Sequence, residues 1–264
     1  MSKNIVFFDI DGTLINEHTH IIPESTKIAL KKLKEKGNLS FINTGRPLSE
    51  ITPLIRSLDF NGYLCGCGTY IEFNNKVLFY KSLGKKLSRE IADDVDKFKL
   101  EGILEGRDTV YFDNFENIKH KDVLRIINQH KSEGFFYGST WHEENIEIDK
   151  FVVFINENSD FNSFYEKYKD RFEFIKRAED FYEVIPLGYS KASGIKYISN
   201  YLDIPLENTY AIGDSTNDLA MLEYAHTSIA MGNSTPSLFD KVSFVTKDID
   251  EDGIYYALKH YNLI

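Results

Sequence analysis

The 264-residue sequence predicts an α/β fold: a doubly wound, mainly parallel sheet with a smaller α+β segment inserted into it. Strand-like and helix-like segments alternate at both ends of the chain, as a parallel sheet covered on both faces requires. Three of the strand-like runs close on short polar strings rich in Asp, Thr and Gly. Between them, residues 83–185 have a different texture and carry −7 of the formal net charge of −10.

The elements follow in chain order. Ile5-Val6-Phe7-Phe8 is an apolar run suited to a buried strand, and it ends in Asp9-Ile10-Asp11-Gly12-Thr13. Residues two apart on a strand point to one face, so Asp9 and Asp11 can approach one small site. Gly12 lets the backbone turn sharply there and bring N–H groups near an anion. Two facing carboxylates are unfavourable unless a shared proton or a cation relieves them. A hard divalent ion with oxygen ligands does so, and Mg²⁺ fits best. Phosphoryl transfer to a carboxylate is the chemistry this suggests. Alone, the string is equally compatible with an Asp-rich turn.

Pro23-Glu24-Ser25 opens a helix with apolar Ile28, Leu30 and Leu33, closed by Gly37. Leu39 to Ile42 reads as a second strand and leads into Asn43-Thr44-Gly45-Arg46-Pro47. There a helix over Pro47–Leu58 is expected, with free N–H groups at its start to receive an anion and the Thr44 hydroxyl beside them. An ordinary N-cap by Thr44 explains the same string equally well, and Arg46 suits either the surface or a pocket mouth. Tyr63 to Cys65 is a third strand. Tyr70–Phe73 and Val77–Tyr80 flank Asn74-Asn75 as a hairpin.

In the insert, helices are expected near 88–100, 121–131 and 161–168, and strands at 109–112, 151–155 and 172–175, with Tyr182–Ile185 strand-like at its end. The aromatic cluster Phe135-Phe136-Tyr137 is expected to build the core of this smaller domain rather than stack on a flat ligand. Lys191 to Tyr201 is a helix opened by Ser190-Lys191. A lysine there opposes the helix dipole, and an ammonium fixed between carboxylates and phosphate would neutralise developing charge. Thr209–Ile212 is a strand followed by Gly213-Asp214-Ser215-Thr216-Asn217-Asp218. Asp214 can complete a metal shell, Asn217 can donate to phosphate, and Asp218 can hold Lys191. Leu219–Tyr224 is a helix, and Ser228–Ala230 and Val242–Val245 are strands. Polar strings at the carboxyl ends of parallel strands meet in one crevice.

Composition bounds the function. The acidic balance, without a compensating basic stretch, excludes a nucleic-acid backbone as partner. It also demands a locally positive site if the ligand is a phosphate. No apolar run approaches the ~20 residues of a membrane span. The first strand begins without a signal-peptide pattern, and Cys65 and Cys67 are too close for a structural staple, so a reducing, cytoplasmic setting is expected. His18 and His20 form the only close histidine pair and are expected to be solvated.

The ordered strings Asp9-x-Asp11-Gly12-Thr13, Thr44-Gly45-Arg46-Pro47, Lys191 and Gly213-Asp214-Ser215-x-Asn217-Asp218 resemble the haloacid dehalogenase superfamily of phosphotransferases. Ala230-Met231-Gly232-Asn233 and the long insert resemble its Cof-like branch, which carries a type-IIB cap. The resemblance implies a Rossmann-like core over 1–82 and 186–264 and an α/β cap over 83–185 controlling substrate access. It implies a phosphomonoester hydrolase with Asp9 as nucleophile and metal ligand. Asp11 would be the acid and base, its backbone carbonyl touching the metal. Thr44, the Gly45 and Ile10 N–H groups and Asn217 would hold phosphate oxygens. Lys191 would bridge nucleophile and phosphate, Asp214 would ligate Mg²⁺, and Asp218 would stand behind them or reach the metal from outside. The substrate implied is a small phosphorylated metabolite: a sugar phosphate, flavin mononucleotide or pyridoxal phosphate. A phosphomutase of the same superfamily and a catalytically silent phospholigand binder are the alternatives. Two positions depart from the family pattern: Cys67-Gly68 stands where Asn-Gly is usual, and Ala192 follows the lysine where glycine is common. Oligomeric state is not legible.

Overall fold

The computed structural model describes residues 3–132 and 139–264. The expectation for Phe135-Phe136-Tyr137 falls outside them. Along the chain come β1 (Ile5–Phe8), α1 (Glu24–Glu35), β2 (Leu39–Asn43), α2 (Pro53–Arg56), β3 (Gly62–Cys65), β4 (Tyr70–Phe73) and β5 (Lys76–Tyr80). The middle supplies α3 (Lys85–Lys97), β6 (Glu101–Glu105), β7 (Val110–Tyr111), α4 (Lys121–Ser132), β8 (Lys150–Phe154), α5 (Phe161–Tyr168), β9 (Phe172–Ala178) and β10 (Phe181–Pro186). The chain then adds α6 (Lys191–Tyr201), β11 (Thr209–Gly213), α7 (Leu219–Tyr224), β12 (Thr227–Ala230), β13 (Phe244–Val245) and α8 (Gly253–His260). These elements make two compact units. The first is Met1–Gly45, Leu54–Tyr80 and Tyr189–Ile264; the second is Arg46–Pro53 and Lys81–Gly188.

The first unit is built on a sheet ordered β13-β12-β11-β1-β2-β3-β4-β5. Its strands run parallel from β13 to β3, and β4 and β5 continue it antiparallel. Every side chain of β1 is buried, as a central strand covered on both faces demands. Ile5 and Phe7 pack with Phe41, Leu64, Ile195 and Ile198 on one face. Strand β1 lies between β2, which follows it, and β11, which returns from far along the chain, so the winding reverses at β1. That is where an open α/β sheet leaves a crevice beyond its strand ends.

The second unit has an antiparallel sheet ordered β7-β6-β8-β10-β9. Alternation along β8 splits its side chains between two cores. Phe151 and Val153 join Ile91 and Val95 of α3 and Phe164 of α5. Val152 and Phe154 join Val123 and Ile127 of α4.

Three local differences from the sequence reading have physical causes. The helix expected over Pro47–Leu58 does not form: a single 3₁₀ turn spans Leu48–Glu50, Ile51 is extended, and α2 is only four residues long. Pro53 has no N–H to continue a helix and biases the residue before it away from helical angles. Among the described residues, the helix N-terminus expected just after Thr44-Gly45 is therefore absent. Strand β6 lies outside the expected strands because Glu-Gly-Ile-Leu-Glu lacks apolar alternation. Helix α8 carries no cap signal, since its first turn follows Asp252 at φ +63°. The Asn74-Asn75 hairpin is present, both residues having positive φ, as a type I′ turn requires. Among the described residues no helix is long and apolar enough to cross a membrane.

Candidate active site

The register of the first sheet assembles the site. Phe8 is level with Ile212 on one side and Ile42 on the other, so Asp9, Asp214 and Thr44 all leave adjacent strand ends. The Asp9 N–H donates to the Ile212 carbonyl at 3.0 Å, which continues the ladder one residue and holds Asp9 at the sheet edge, 3% exposed. The chain then turns at Gly12, whose φ is +75°. A β-carbon on Gly12 would lie 2.4 Å from an Asp214 oxygen, so only glycine lets these two loops meet. Replacing Gly12 by alanine is expected to lower stability by about 2 kcal/mol or more through left-handed strain and this overlap. Urea denaturation measures it, and an unchanged midpoint would refute the close packing of the two loops.

Lys191 is the electrostatic centre. Ser190 caps α6 by accepting from the Ser193 N–H, and Ser193 reciprocates. That capping box starts the helix with Lys191 turned inward and 2% exposed. Its ammonium donates to Asp9 Oδ1 and to Asp218 Oδ1, both at 2.6 Å. Asp218 Oδ2 accepts from the N–H groups of Asp214 (2.9 Å) and Ser215 (3.0 Å). Both Asp218 oxygens are thus engaged in fixing the lysine and the β11 loop. Asp214 Oδ1 accepts from the Thr13 hydroxyl at 2.8 Å. One oxygen from each of Asp9, Asp214 and Asp218 lies within 4.8 Å of the others.

Three buried carboxylates therefore cluster together, and one ammonium binds two of them. Burial and the Asp218 charge push the Asp9 carboxyl up to about 7 against the pull of Lys191. Burial, Asp9 and Asp218 push Asp214 up to about 8. Burial alone would lower Lys191, but Asp218 and Asp9 outweigh it and hold the ammonium above its ordinary range. The cluster is short of positive charge, and a proton or a cation must supply it.

The other expected residues are placed as follows. Asp11 raises Asp9 electrostatically and is half-buried past the strand end. Thr44 is 1% exposed; its N–H donates to the Leu64 carbonyl at 2.9 Å and its carbonyl accepts from the Cys67 N–H at 3.1 Å. Ile10 is buried and Gly45 is half-buried. Asn217 accepts from the Ser215 hydroxyl, which turns its amide oxygen back into its own loop. Histidines 18 and 20 are exposed.

Two contributors were missed by sequence reasoning. Asn43 is fully buried and donates to the Lys191 carbonyl at 3.0 Å; a polar residue closing an apolar strand was the available signal. Asn233 donates to the Gly12 carbonyl at 2.7 Å and accepts from the Ile249 N–H, stapling the loop after β1 from the far side. The departure at Cys67 also has a structural meaning, because this residue sits at φ +55°. Asn tolerates that region and Cys does not do so readily.

A winding reversal with buried aspartates at neighbouring strand ends and a lysine between them is the arrangement of the haloacid dehalogenase-like hydrolases. The chain belongs to that family, whose profile matches residues 6–258, and is a phosphatase of it. It is 33% identical over its whole length to YkrA of Bacillus subtilis (strain 168), a full-length match whose name carries a provisional phosphatase assignment. It is 26% identical to the 5-amino-6-(5-phospho-D-ribitylamino)uracil phosphatase YitU of the same organism, covering 97% of each chain. Among solved structures, the subclass IIB sugar phosphatase BT4131 is 30% identical with a TM-score of 0.79, covering 99% of this chain and 100% of that one. A protein of Geobacillus kaustophilus is 28% identical with a TM-score of 0.83, covering both chains in full.

Proposed function

We propose that this phosphatase is a Mg²⁺-dependent phosphomonoester hydrolase that releases phosphate from a small metabolite through an aspartyl-phosphate on Asp9. The charge deficit around Lys191 carries the reading: three buried carboxylates with one ammonium form a site that bound protons or a cation would stabilise. All the donors are hard oxygens, which suits Mg²⁺. The Asp9 and Asp214 carboxylates and the Asp11 carbonyl would hold it, while Asp218 holds Lys191 and stands behind the ion or reaches it from outside. When bound, the ion supplies positive charge that offsets the anionic cluster against an anionic substrate.

The chain's own groups then divide the chemistry. An Asp9 oxygen attacks phosphorus as the ester P–O bond breaks, and the Asp11 carboxyl gives its proton to the leaving oxygen. Water next attacks the aspartyl-phosphate, Asp11 takes the proton, and inorganic phosphate leaves with Asp9 regenerated. Lys191 faces the charge that builds on phosphorus-bound oxygens. Thr44, Gly45, Ile10 and Asn217 are the phosphate-holding set. Residues 83–185 act as a cap that restricts access, and the likeness to the sugar phosphatase BT4131 makes a sugar phosphate the leading substrate class.

Release of phosphate from a panel of phosphorylated metabolites, with Mg²⁺ and with excess chelator, tests this; full activity in chelator refutes it. A bisphosphorylated intermediate with little free phosphate would turn the reading to a phosphomutase. A second expectation concerns stability. Asp9 and Asp214 hold protons more tightly folded than unfolded, since both rise from 3.8 to about 7 and about 8. Stability of the metal-free protein is therefore greatest below about pH 4 for these groups and falls as pH rises to about 8. Excess Mg²⁺ replaces the protons, so its stabilisation grows across that window. Urea denaturation with and without Mg²⁺ at about pH 5 and about pH 8 measures it, and equal stabilisation at both is the contrary result.

A further inference from the structure

The chain crosses from the first unit to the second between Gly45 and Arg46, and returns between Pro53 and Leu54. The broken helix over this stretch is thus a strap: it begins one residue after the Thr44-Gly45 pair but belongs to the second unit. Its attachments are specific. The Ser49 hydroxyl donates to the Gly106 carbonyl at 2.8 Å. Glu50 Oε1 lies 3.1 Å from His130 Nε2 at the end of α4, the two side chains 14% and 5% exposed. Arg46 donates to the Glu50 carbonyl at 3.3 Å, so the strap's first residue is tied to its anchor. Burial pushes the Glu50 carboxyl up, but the His130 hydrogen bond and charge, aided by Arg46 and Lys150, outweigh it and hold the group ionised.

A buried carboxylate–histidine contact is weak evidence of stability, because burying the charged carboxylate offsets most of the attraction; the attested use of such buried polar pairs is to fix one arrangement among several. The strap has only a single 3₁₀ turn at Leu48–Glu50, and Pro53 keeps a helix from running through its end. The Glu50–His130 pair and the Ser49 contact set its course instead.

We propose that Glu50 and His130 are positioning residues that latch the Arg46–Pro53 strap to the second unit and thereby set the phosphate-holding Thr44-Gly45 turn. The chain also passes between the two units at Tyr80–Lys81 and Gly188–Tyr189. The role of Thr44-Gly45 rests on the function proposed above, whereas the latch itself does not.

The test uses the full chain with His130→Ala, Glu50→Gln and His130→Gln, the last keeping an N–H donor for Glu50. Amide hydrogen exchange over 46–53 reads the latch, with β8 as the internal reference. Calorimetric binding of inorganic phosphate in Mg²⁺ reads the turn without requiring turnover. His130→Ala and Glu50→Gln are expected to speed exchange over 46–53 by about tenfold or more while β8 is unchanged. They should also weaken phosphate binding by about tenfold. With a generic aryl phosphate, KM rises and kcat stays within about twofold, because the turn holds phosphate in ground and transition states alike. The double variant Glu50→Gln with His130→Ala should lose no more than either single change, and His130→Gln should restore most of the loss. Unchanged exchange over 46–53 overturns the latch. Faster exchange with unchanged phosphate binding overturns its connection to the turn. A wild-type protein that hydrolyses no ester would remove the proposed function, and exchange and phosphate binding would still decide the latch.

Discussion

Asp9→Asn is expected to reduce turnover by about four to six orders of magnitude while the protein stays folded. An amide nitrogen cannot attack phosphorus, and the amide oxygen is a far weaker nucleophile than the carboxylate it replaces. The surrounding geometry tolerates the change. Lys191 keeps Asp218 at 2.6 Å, so removing one carboxylate does not orphan the ammonium. Neutralising Asp9 also relieves its repulsion with Asp218 and Asp11, and the metal-free variant should be at least as stable as the parent at neutral pH. Loss of activity with an unchanged or raised urea midpoint is therefore the expected result. An Asp9→Asn variant that turns over at more than about a hundredth of the parental rate would sink the covalent route.

Most of the first unit is legible because its rules are local and repetitive. The four residues of β1 are all apolar and all buried, and the strings after β1, β2 and β11 advertise themselves as polar interruptions of apolar strands. Proximity is legible too: parallel strands with polar carboxyl ends leave little choice about where those ends gather. The individual bonds are harder to read. That Asp218 spends both oxygens on Lys191 and its own loop, and that Thr13 turns to Asp214, depends on side-chain directions no spacing encodes. The strap misleads for a related reason. Apolar residues at Leu48, Ile51, Leu54, Ile55 and Leu58 have helical periodicity, and one proline in their midst outweighs it. The second unit is less legible because Glu105, Lys150 and Glu183 are charged residues within strands. They pair with one another across β6, β8 and β10, so a buried face reads as an exposed one.

Removing the lysine tests the electrostatic argument from the other side. Lys191→Met keeps the length and apolar stem of the side chain and deletes the charge. It is expected to lower kcat/KM by about three orders of magnitude or more, within the range seen when a preorganised charge is withdrawn from a developing oxyanion or phosphoryl group. Unlike Asp9→Asn, it should also destabilise the metal-free protein, by about 3–5 kcal/mol, because Asp9 and Asp218 are left buried with no cation between them. That penalty has a pH signature. Without the ammonium's pull, the Asp9 carboxyl retains its proton to higher pH, so the variant approaches parental stability at about pH 4 and falls away as pH rises. Mg²⁺ should recover part of the stability, by adding positive charge to the carboxylate cluster, and little of the activity, because it does not replace the ammonium that donates to Asp9 and Asp218. Urea denaturation across pH, with and without Mg²⁺, separates these outcomes. Uniform destabilisation at every pH would mean that Lys191 acts by packing, and the account of the site as a cluster balanced by one ammonium would fail.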